Sequence, residues 1–260
     1  MKVTQEKLYD RDFYKRLHVG GISSAIAVLS ELRELLSPGP PDSIVDIGCG
    51  DGSWLRVARD LFGARRILGM DGPGVKEAGC LLLGIDEFRV TDLRKELPVL
   101  LTTYTTFDLA MCLEVAEHLP ESCAKPLVEV LCGFAPLVLF SAAVPTQGGT
   151  AHINEQWPSY WIRIFAEAGW QCLDALRYRI WSRADVEWWY RQNVLLFASD
   201  DALNRWPNLL RLLREEAVPT DFDLVHPEFL KVAVARRTPR PSRVRLLLSR
   251  VLRSSVRSGR

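Results

Sequence analysis

No two of the six cysteines, at 49, 80, 112, 123, 132 and 172, stand at C-x-x-C spacing. That absence excludes the zinc ribbons and redox dithiols that such pairs build. Most of the six lie in apolar strand or helix contexts, which fits free thiols in a reducing compartment and leads us to expect a cytoplasmic protein. Long hydrophobic runs are missing too. No apolar stretch approaches the roughly 20 residues that cross a bilayer, and the opening Met-Lys-Val-Thr-Gln-Glu-Lys holds no apolar signal region. There is no internal repeat and no low-complexity block ahead of the last residues. A basic excess is also lacking, since the formal net charge is +1. Nine arginines and no acid fall in residues 236–260, which leaves 24 bases against 32 acids in the first 235. An acidic body is not built to grip nucleic acid, so a nucleic-acid partner is not expected.

Residues 44–52, Ile-Val-Asp-Ile-Gly-Cys-Gly-Asp-Gly, are an apolar run that stops in a glycine loop. The run reads as a buried parallel strand, and glycines let the chain turn and bring bare backbone against a ligand. Ser53 to Phe62 then place apolar side chains at helical spacing. Strand, glycine loop and helix together make a nucleotide-type cofactor site at the carboxyl end of a sheet. A dinucleotide fingerprint would need a third glycine where Ser53 stands, which disfavours a nicotinamide oxidoreductase, and a Walker loop would need Gly-Lys-Ser/Thr, which is absent. Asp46 and Asp51 add negative charge that suits a cationic ligand.

Further strand ends carry acids. Arg66-Ile-Leu-Gly-Met70 ends at Asp71, placed to accept both ribose hydroxyls of a nucleoside. Glu87–Val90 runs into Thr91 and Asp92, and Phe107–Leu113 into Glu114-Val-Ala-Glu117-His118-Leu-Pro120. From about Ser43 to Ala198 this succession resembles the class I S-adenosylmethionine-dependent methyltransferases. The resemblance implies S-adenosylmethionine as cofactor, held by Asp46, Gly48, Cys49, Gly50, Asp51, Gly52, Trp54, Asp71, Gly72, Thr91, Asp92, Leu93, Leu113 and Glu114. In such a family the acid after the third strand holds the adenine amine, and the segment after the fourth lines the methionine side. Cys49 reads as a small buried filler of the loop rather than a nucleophile.

The rest of the chain alternates helix and strand. Ser23 to Leu36 is a helical pattern stopped by Ser-Pro-Gly-Pro-Pro. Glu121–Phe134 reads as a helix, Leu137–Val144 as the fifth strand, Trp157–Gly169 as a helix, and Gln171–Arg177 and Gln192–Ala198 as a closing strand pair around an insert, 178–191. The fold class expected is α/β, a doubly wound, mostly parallel seven-stranded sheet with helices on both faces. The division expected is a helical cap at 1–42, the cofactor-binding domain at 43–200, an extension at 201–235 and a basic tail at 236–260.

The acceptor side is read from Gly148 to Trp161, where two glycines, polar handles and aromatics follow the fifth strand. The glycines give the loop freedom to close over a ligand. His152 is the expected catalytic base and His118 the second candidate. Tyr14, Glu117, Asn154, Glu155, Gln156 and Tyr160 are the expected substrate contacts, while Trp161, Ile164 and Phe165 at helical spacing read as core. No metal-ligand spacing is present, and no metal requirement is expected. This segment, with Trp181 and 186–193, resembles a methyltransferase subset associated with bacterial sugar, glycan or natural-product biosynthesis. The expected reaction is transfer of a methyl group to a hydroxyl oxygen of a small-molecule, sugar or glycan acceptor, with nitrogen methylation or a non-catalytic cofactor-binding partner protein as the alternatives. In the tail, residues 243–256 form a basic amphipathic pattern suited to weak contact with an anionic membrane surface.

Overall fold

Strand residues alternate between two apolar layers, and that alternation sets the architecture. The computed structural model describes residues 11–77, 79–103, 105–215 and 221–237, with side chains described for 20–77, 79–102, 105–214 and 221–236. Residues 1–226 form one unit and 227–260 a second. In the first, α1 (Arg11–Leu35) is followed by β1 (Ser43–Ile47), α2 (Ser53–Phe62), β2 (Arg66–Asp71), α3 (Pro73–Glu77), β3 (Phe88–Val90), α4 (Leu93–Thr103) and β4 (Leu109–Leu113). Then come α5 (Ala124–Phe134), β5 (Leu137–Ser141), α6 (Pro158–Glu167), β6 (Gln171–Leu173), α7 (Arg177–Ile180), α8 (Trp188–Asn193), β7 (Leu195–Ala198), α9 (Asp200–Arg205) and α10 (Pro207–Glu215). In the second unit α11 (Pro227–Arg237) is described.

The seven strands form one sheet in the order β3-β2-β1-β4-β5-β7-β6. All pairs are parallel except those of β7, which runs against both β5 and β6. Ile44, Leu109, Met111, Leu137, Leu139 and Leu196 join one apolar layer with α1, α2, α9 and α10. Val45, Ile47, Ala110, Cys112, Val138, Phe140 and Phe197 join the other, under α4, α5 and α6. Aromatic rings fill the second layer. Phe165 stacks on Phe197 at 3.8 Å, and Phe140 meets Trp161, Phe165 and Phe197. Burying each such side chain contributes roughly 1.5–3 kcal/mol. Trp161, Ile164 and Phe165 are core, as their spacing implied.

Asp108 ties the sheet together just before β4. Its Oδ2 accepts the N–H groups of Asp42 (2.8 Å) and Ser43 (2.9 Å), and its Oδ1 pairs with Arg205 of α9. Burial alone would push this carboxyl up, but the Arg205 and backbone hydrogen bonds outweigh it and hold the group below the usual range.

Several boundaries differ from those read in the sequence; the fifth strand ends at Ser141 rather than Val144, and the last strand begins at Leu195 rather than Gln192, with Gln192 and Asn193 in α8. Among the described residues the first helix already runs from Arg11, twelve residues ahead of the amphipathic stretch. The sixth strand ends at Leu173 rather than Arg177. Arg177 is instead a buried side chain that donates to Asp174 and to the carbonyls of Gln192 and Phe222, and these acceptors pull the chain out of the sheet. The insert 178–191 is not a bare connection, since it contains most of α7 and α8. No disulfide joins any of the six cysteines. Among the described residues no helix is long and apolar enough to cross a membrane. The amphipathic pattern at 243–256 lies outside the described residues.

Candidate functional site

Strand order reverses between β1 and β4, because β2 and β3 lie on one side and β5 on the other. In an open parallel sheet the crevice beyond the carboxyl ends at such a point is where ligands bind. The loop from β1 occupies that point. Gly48 adopts φ 82°, and a Cβ there would lie 2.4 Å from the Val115 side chain, so only glycine lets the two loops touch. Gly50 adopts φ 55° and has nothing within 4 Å of its missing Cβ, leaving its backbone bare on the crevice side.

Acids surround this loop. Gly50 N–H donates to Asp71 Oδ2 at 2.7 Å and Gly72 N–H to Oδ1 at 2.6 Å, which fixes the carboxylate at the end of β2. Burial raises Asp71, and these two N–H groups offset part of the rise. Asp46 shares the sheet face of Ile44, is 3% exposed, and has no hydrogen-bond partner at Oδ1. Burial pushes it well above the usual carboxylate range, and the neighbouring Asp71 charge pushes further. Asp51 accepts Ser53 N–H at 3.0 Å and so steadies the start of α2. Cys49 is buried with its Sγ against Gly69, which matches the filler expected. Trp54 sits edge-on to Tyr190, ring centroids 5.0 Å apart. Thr91 is buried, and Leu93 is part of the core beneath α4. Asp92 opens α4 by accepting Arg94 N–H at 3.1 Å and pairing with Lys95 at 2.8 Å; the Lys95 hydrogen bond is the main reason its carboxyl is lowered.

Beyond β4, Leu113 is buried and Glu114 turns into the left-handed region at φ 55°. The other non-glycine residues with positive φ among those described are Thr146 and Ala151, both in the loop after β5. The strained backbone is thus concentrated on two adjoining loops. Glu114 accepts Gln147 Nε2 at 2.8 Å and Asn193 Nδ2 at 3.0 Å. Burial raises its carboxyl, and Asn193, Gln147 and Ser141 oppose the rise. Gln147 and Asn193 were not picked out in the sequence. Gln147 lies in a glycine-rich loop and Asn193 in an aromatic-rich stretch, and neither carries a local signal of its own.

The post-β5 loop is sewn onto the post-β4 turn. Ile153 and Asn154 donate their N–H groups to the Glu117 carbonyl, and Gln156 N–H reaches the Ala143 carbonyl. Glu155 braces the loop from inside, accepting Thr146 N–H (2.7 Å) and Gly148 N–H (2.6 Å) and meeting His152 Nδ1 at 2.9 Å. Asn154 is buried and accepts Gln156 Nε2 at 2.9 Å. Tyr160 lies edge-on to Trp161 and beside Arg163. Tyr14 falls in α1, in the stretch whose side chains are outside those described.

Glu117, His118 and His152 converge, with one ligand-type atom from each lying within 4.8 Å of the others. Spacing in the sequence does not encode this cluster, and the expectation of no metal rests on spacing alone. It forms because His152, 34 positions beyond His118, is carried back by the loop after β5. Burial pushes Glu117 well above its usual range, with the Glu114 charge adding to it. Burial and then the neighbouring His152 lower His118 to about 4, so its ring is neutral at physiological pH.

No family model matches the sequence, and no curated protein does either. Among solved structures, the plantazolicin methyltransferase BpumL in complex with SAH is similar at 12% identity and TM-score 0.54, over 76% of this chain and 91% of that one. A chain in the complex of the Haloferax volcanii Trm112 methyltransferase activator with a methyltransferase is similar at 14% identity and TM-score 0.50, over 73% of this chain and 93% of that one. Human N-acetylserotonin methyltransferase in complex with SAM gives 16% identity and TM-score 0.46 over 73% of this chain, which spans only 54% of the human chain's length. At these identities the likeness is one of fold, the Rossmann-like sheet of the BpumL structure and of the chain in the Haloferax volcanii complex.

Proposed function

We propose that the protein transfers a methyl group from S-adenosylmethionine to a hydroxyl oxygen of a small-molecule, sugar or glycan acceptor. The observation that carries this reading is the crevice at the β1/β4 reversal, where Gly50 is bare beside an oriented Asp71 and a buried Asp46 with an unpartnered oxygen. That donor set fits a cationic nucleoside. Asp71 accepts ribose hydroxyls through lone pairs that Gly50 and Gly72 leave over, and Asp92 and Thr91 flank the base. Asp46 supplies the negative charge that a cation restores in a buried site. S-adenosylmethionine brings a methyl group on a positively charged sulfur, so the chain's main task is alignment, which can be worth roughly 7–11 kcal/mol. Glu114 is held by Gln147 and Asn193 at the methionine side. Activation of the acceptor hydroxyl falls to Glu117, His118 and His152, and the exposed Ile153 and Trp157 offer apolar faces to the acceptor.

Calorimetry with S-adenosylhomocysteine and, separately, NAD tests the cofactor. Binding of NAD alone would overturn the reading. A labelled-methyl assay against fractionated lysate, with mass identification of the product, tests the reaction. Nitrogen-linked product would replace the oxygen acceptor, and tight cofactor binding without product in any fraction would leave a non-catalytic partner protein.

A further inference from the structure

Glu117 is 0% exposed, and neither of its carboxylate oxygens has a hydrogen-bond partner. The N–H groups of Glu117 itself and of Ala143 lie near enough to favour the ionised form, yet neither bonds it in good geometry. Buried acids are normally supplied with donors, so an isolated carboxylate points to something else that satisfies it. His152 faces it. Its Nδ1 lies 2.9 Å from the Glu155 carboxylate, which leaves Nε2 as the ring nitrogen turned toward Glu117. Nε2 stands 4.0 Å from Glu117 Oε1, beyond hydrogen-bond reach, so neither group satisfies the other. His118 completes the group, its ring edge-on to that of His152 with centroids 4.9 Å apart and steadied by the carbonyls of Ala151 and Thr150. The loop is shaped around this arrangement. A Cβ on Gly149 would lie 2.2 Å from His152 Nε2, so the imidazole occupies room that only a glycine leaves.

We infer that Glu117, His118 and His152 form a binding site for one divalent transition-metal cation, with Glu155 as the acid that orients the His152 ligand. Two imidazole nitrogens and one carboxylate suit zinc, cobalt, manganese or ferrous ions, whereas magnesium and calcium favour all-oxygen sites. Ligand atoms bound tetrahedrally at ~2.1 Å stand about 3.4 Å apart, so the three atoms need to close by little more than an ångström from the 4.8 Å within which they lie. Glu155 on the far nitrogen of His152 is the carboxylate–histidine arrangement that fixes a ligand's tautomer and raises its basicity. Three protein ligands leave a coordination position open.

The role of the cation in the reaction rests on the proposed methyl transfer. An acceptor hydroxyl in the open position gives up its proton to water more readily, as ligands of a bound cation do. The oxygen lone pair then forms the new C–O bond while the S–CH3 electron pair returns to sulfur, giving a methyl ether and neutral S-adenosylhomocysteine. His152 in this scheme is a ligand rather than the proton acceptor.

The test uses the untagged full chain freed of metal by a chelator and titrated with Co2+, followed by visible absorption and calorimetry. The expected result is one Co2+ per chain with a spectrum typical of nitrogen and oxygen ligands. E117Q, which keeps size and shape, should weaken binding roughly a hundredfold or more, and E155Q by roughly 10–100-fold with an altered spectrum. H152A, read by the same spectrum, covers the case in which E117Q fails to fold. Failure of the native chain to bind Co2+, or equal affinity in folded E117Q and H152A, would overturn the site. S-adenosylhomocysteine is titrated in parallel without metal. Its failure to bind would remove the methyl-transfer reading and leave the cation site standing on the Co2+ result.

Discussion

Asp46 occupies a position where the alternation of β1 calls for an apolar side chain, since it shares its face with Ile44. A carboxylate placed there costs stability unless a ligand repays it, and Asp71 one strand away is held by backbone N–H groups as a ready acceptor. Asp71→Ala should therefore weaken S-adenosylhomocysteine binding by about 1.5–3 kcal/mol, the worth of a charged hydrogen bond. Calorimetry on the folded variant checks it, and unchanged affinity would remove Asp71 from the ribose site. Gly48→Ala is a different kind of test. It forces a Cβ to within 2.4 Å of Val115 at φ 82°, and we expect a loss of about 1–3 kcal/mol in urea unfolding. A neutral effect would mean that the two loops part easily.

Among the elements, the loop from Thr146 to Gln156 takes its shape from one side chain. Glu155→Ala leaves the N–H groups of Thr146 and Gly148 without their acceptor. Hydrogen exchange at those two amides should speed up by an order of magnitude or more, while β4 and β5 keep their protection. Equal exchange in both proteins would show that the loop is held from elsewhere. Most elements were legible because their signals are local. The run Ile44–Ile47, its glycine loop and the helix after it carry strand, turn and helix patterns within 20 residues, and each strand-ending acid falls where it was read. What stayed hidden depends on distant acceptors. Arg177 leaves the sixth strand because Gln192 and Phe222 wait for its guanidinium, and His152 meets Glu117 only through backbone bonds between two loops. No periodicity encodes such meetings.

At the scale of the whole molecule, the acids split into two sets with opposite effects on stability. Asp108 and Asp92 have folded pKa values below their unfolded value of about 3.9, so their contribution is complete above that pH and is lost as pH falls through the lower folded value. Asp46 is raised. Below about 4 it is protonated whether folded or not. Between there and its folded pKa the unfolded chain ionises while the folded one keeps its proton, so stability declines as pH rises. The ligand-free protein should therefore melt at a lower temperature near pH 8 than near pH 5. Asp46→Asn should flatten that slope, and calorimetric scans at both pH values check it. A variant that retains the native slope would assign the dependence to other groups.

Because β7 runs against its neighbours, its first residue lies beside the last residues of β5, and the chain reaches it only after passing over the rim of the crevice. That path places Asn193 on Glu114 and, through α7 and α8, brings Asp185 and Glu187 to Ser23 and Ser24 of α1. The glycine loop and the acids at the ends of β1 and β2 come from a different part of the sequence altogether. Residues 174–194 are thus fastened to α1, and they reach the cofactor side through Asn193 on Glu114 and Tyr190 against Trp54. Substitutions between β6 and β7 that spare Tyr190 and Asn193 should therefore leave the glycine loop in place, and the amide hydrogen exchange of residues 48–52 checks it.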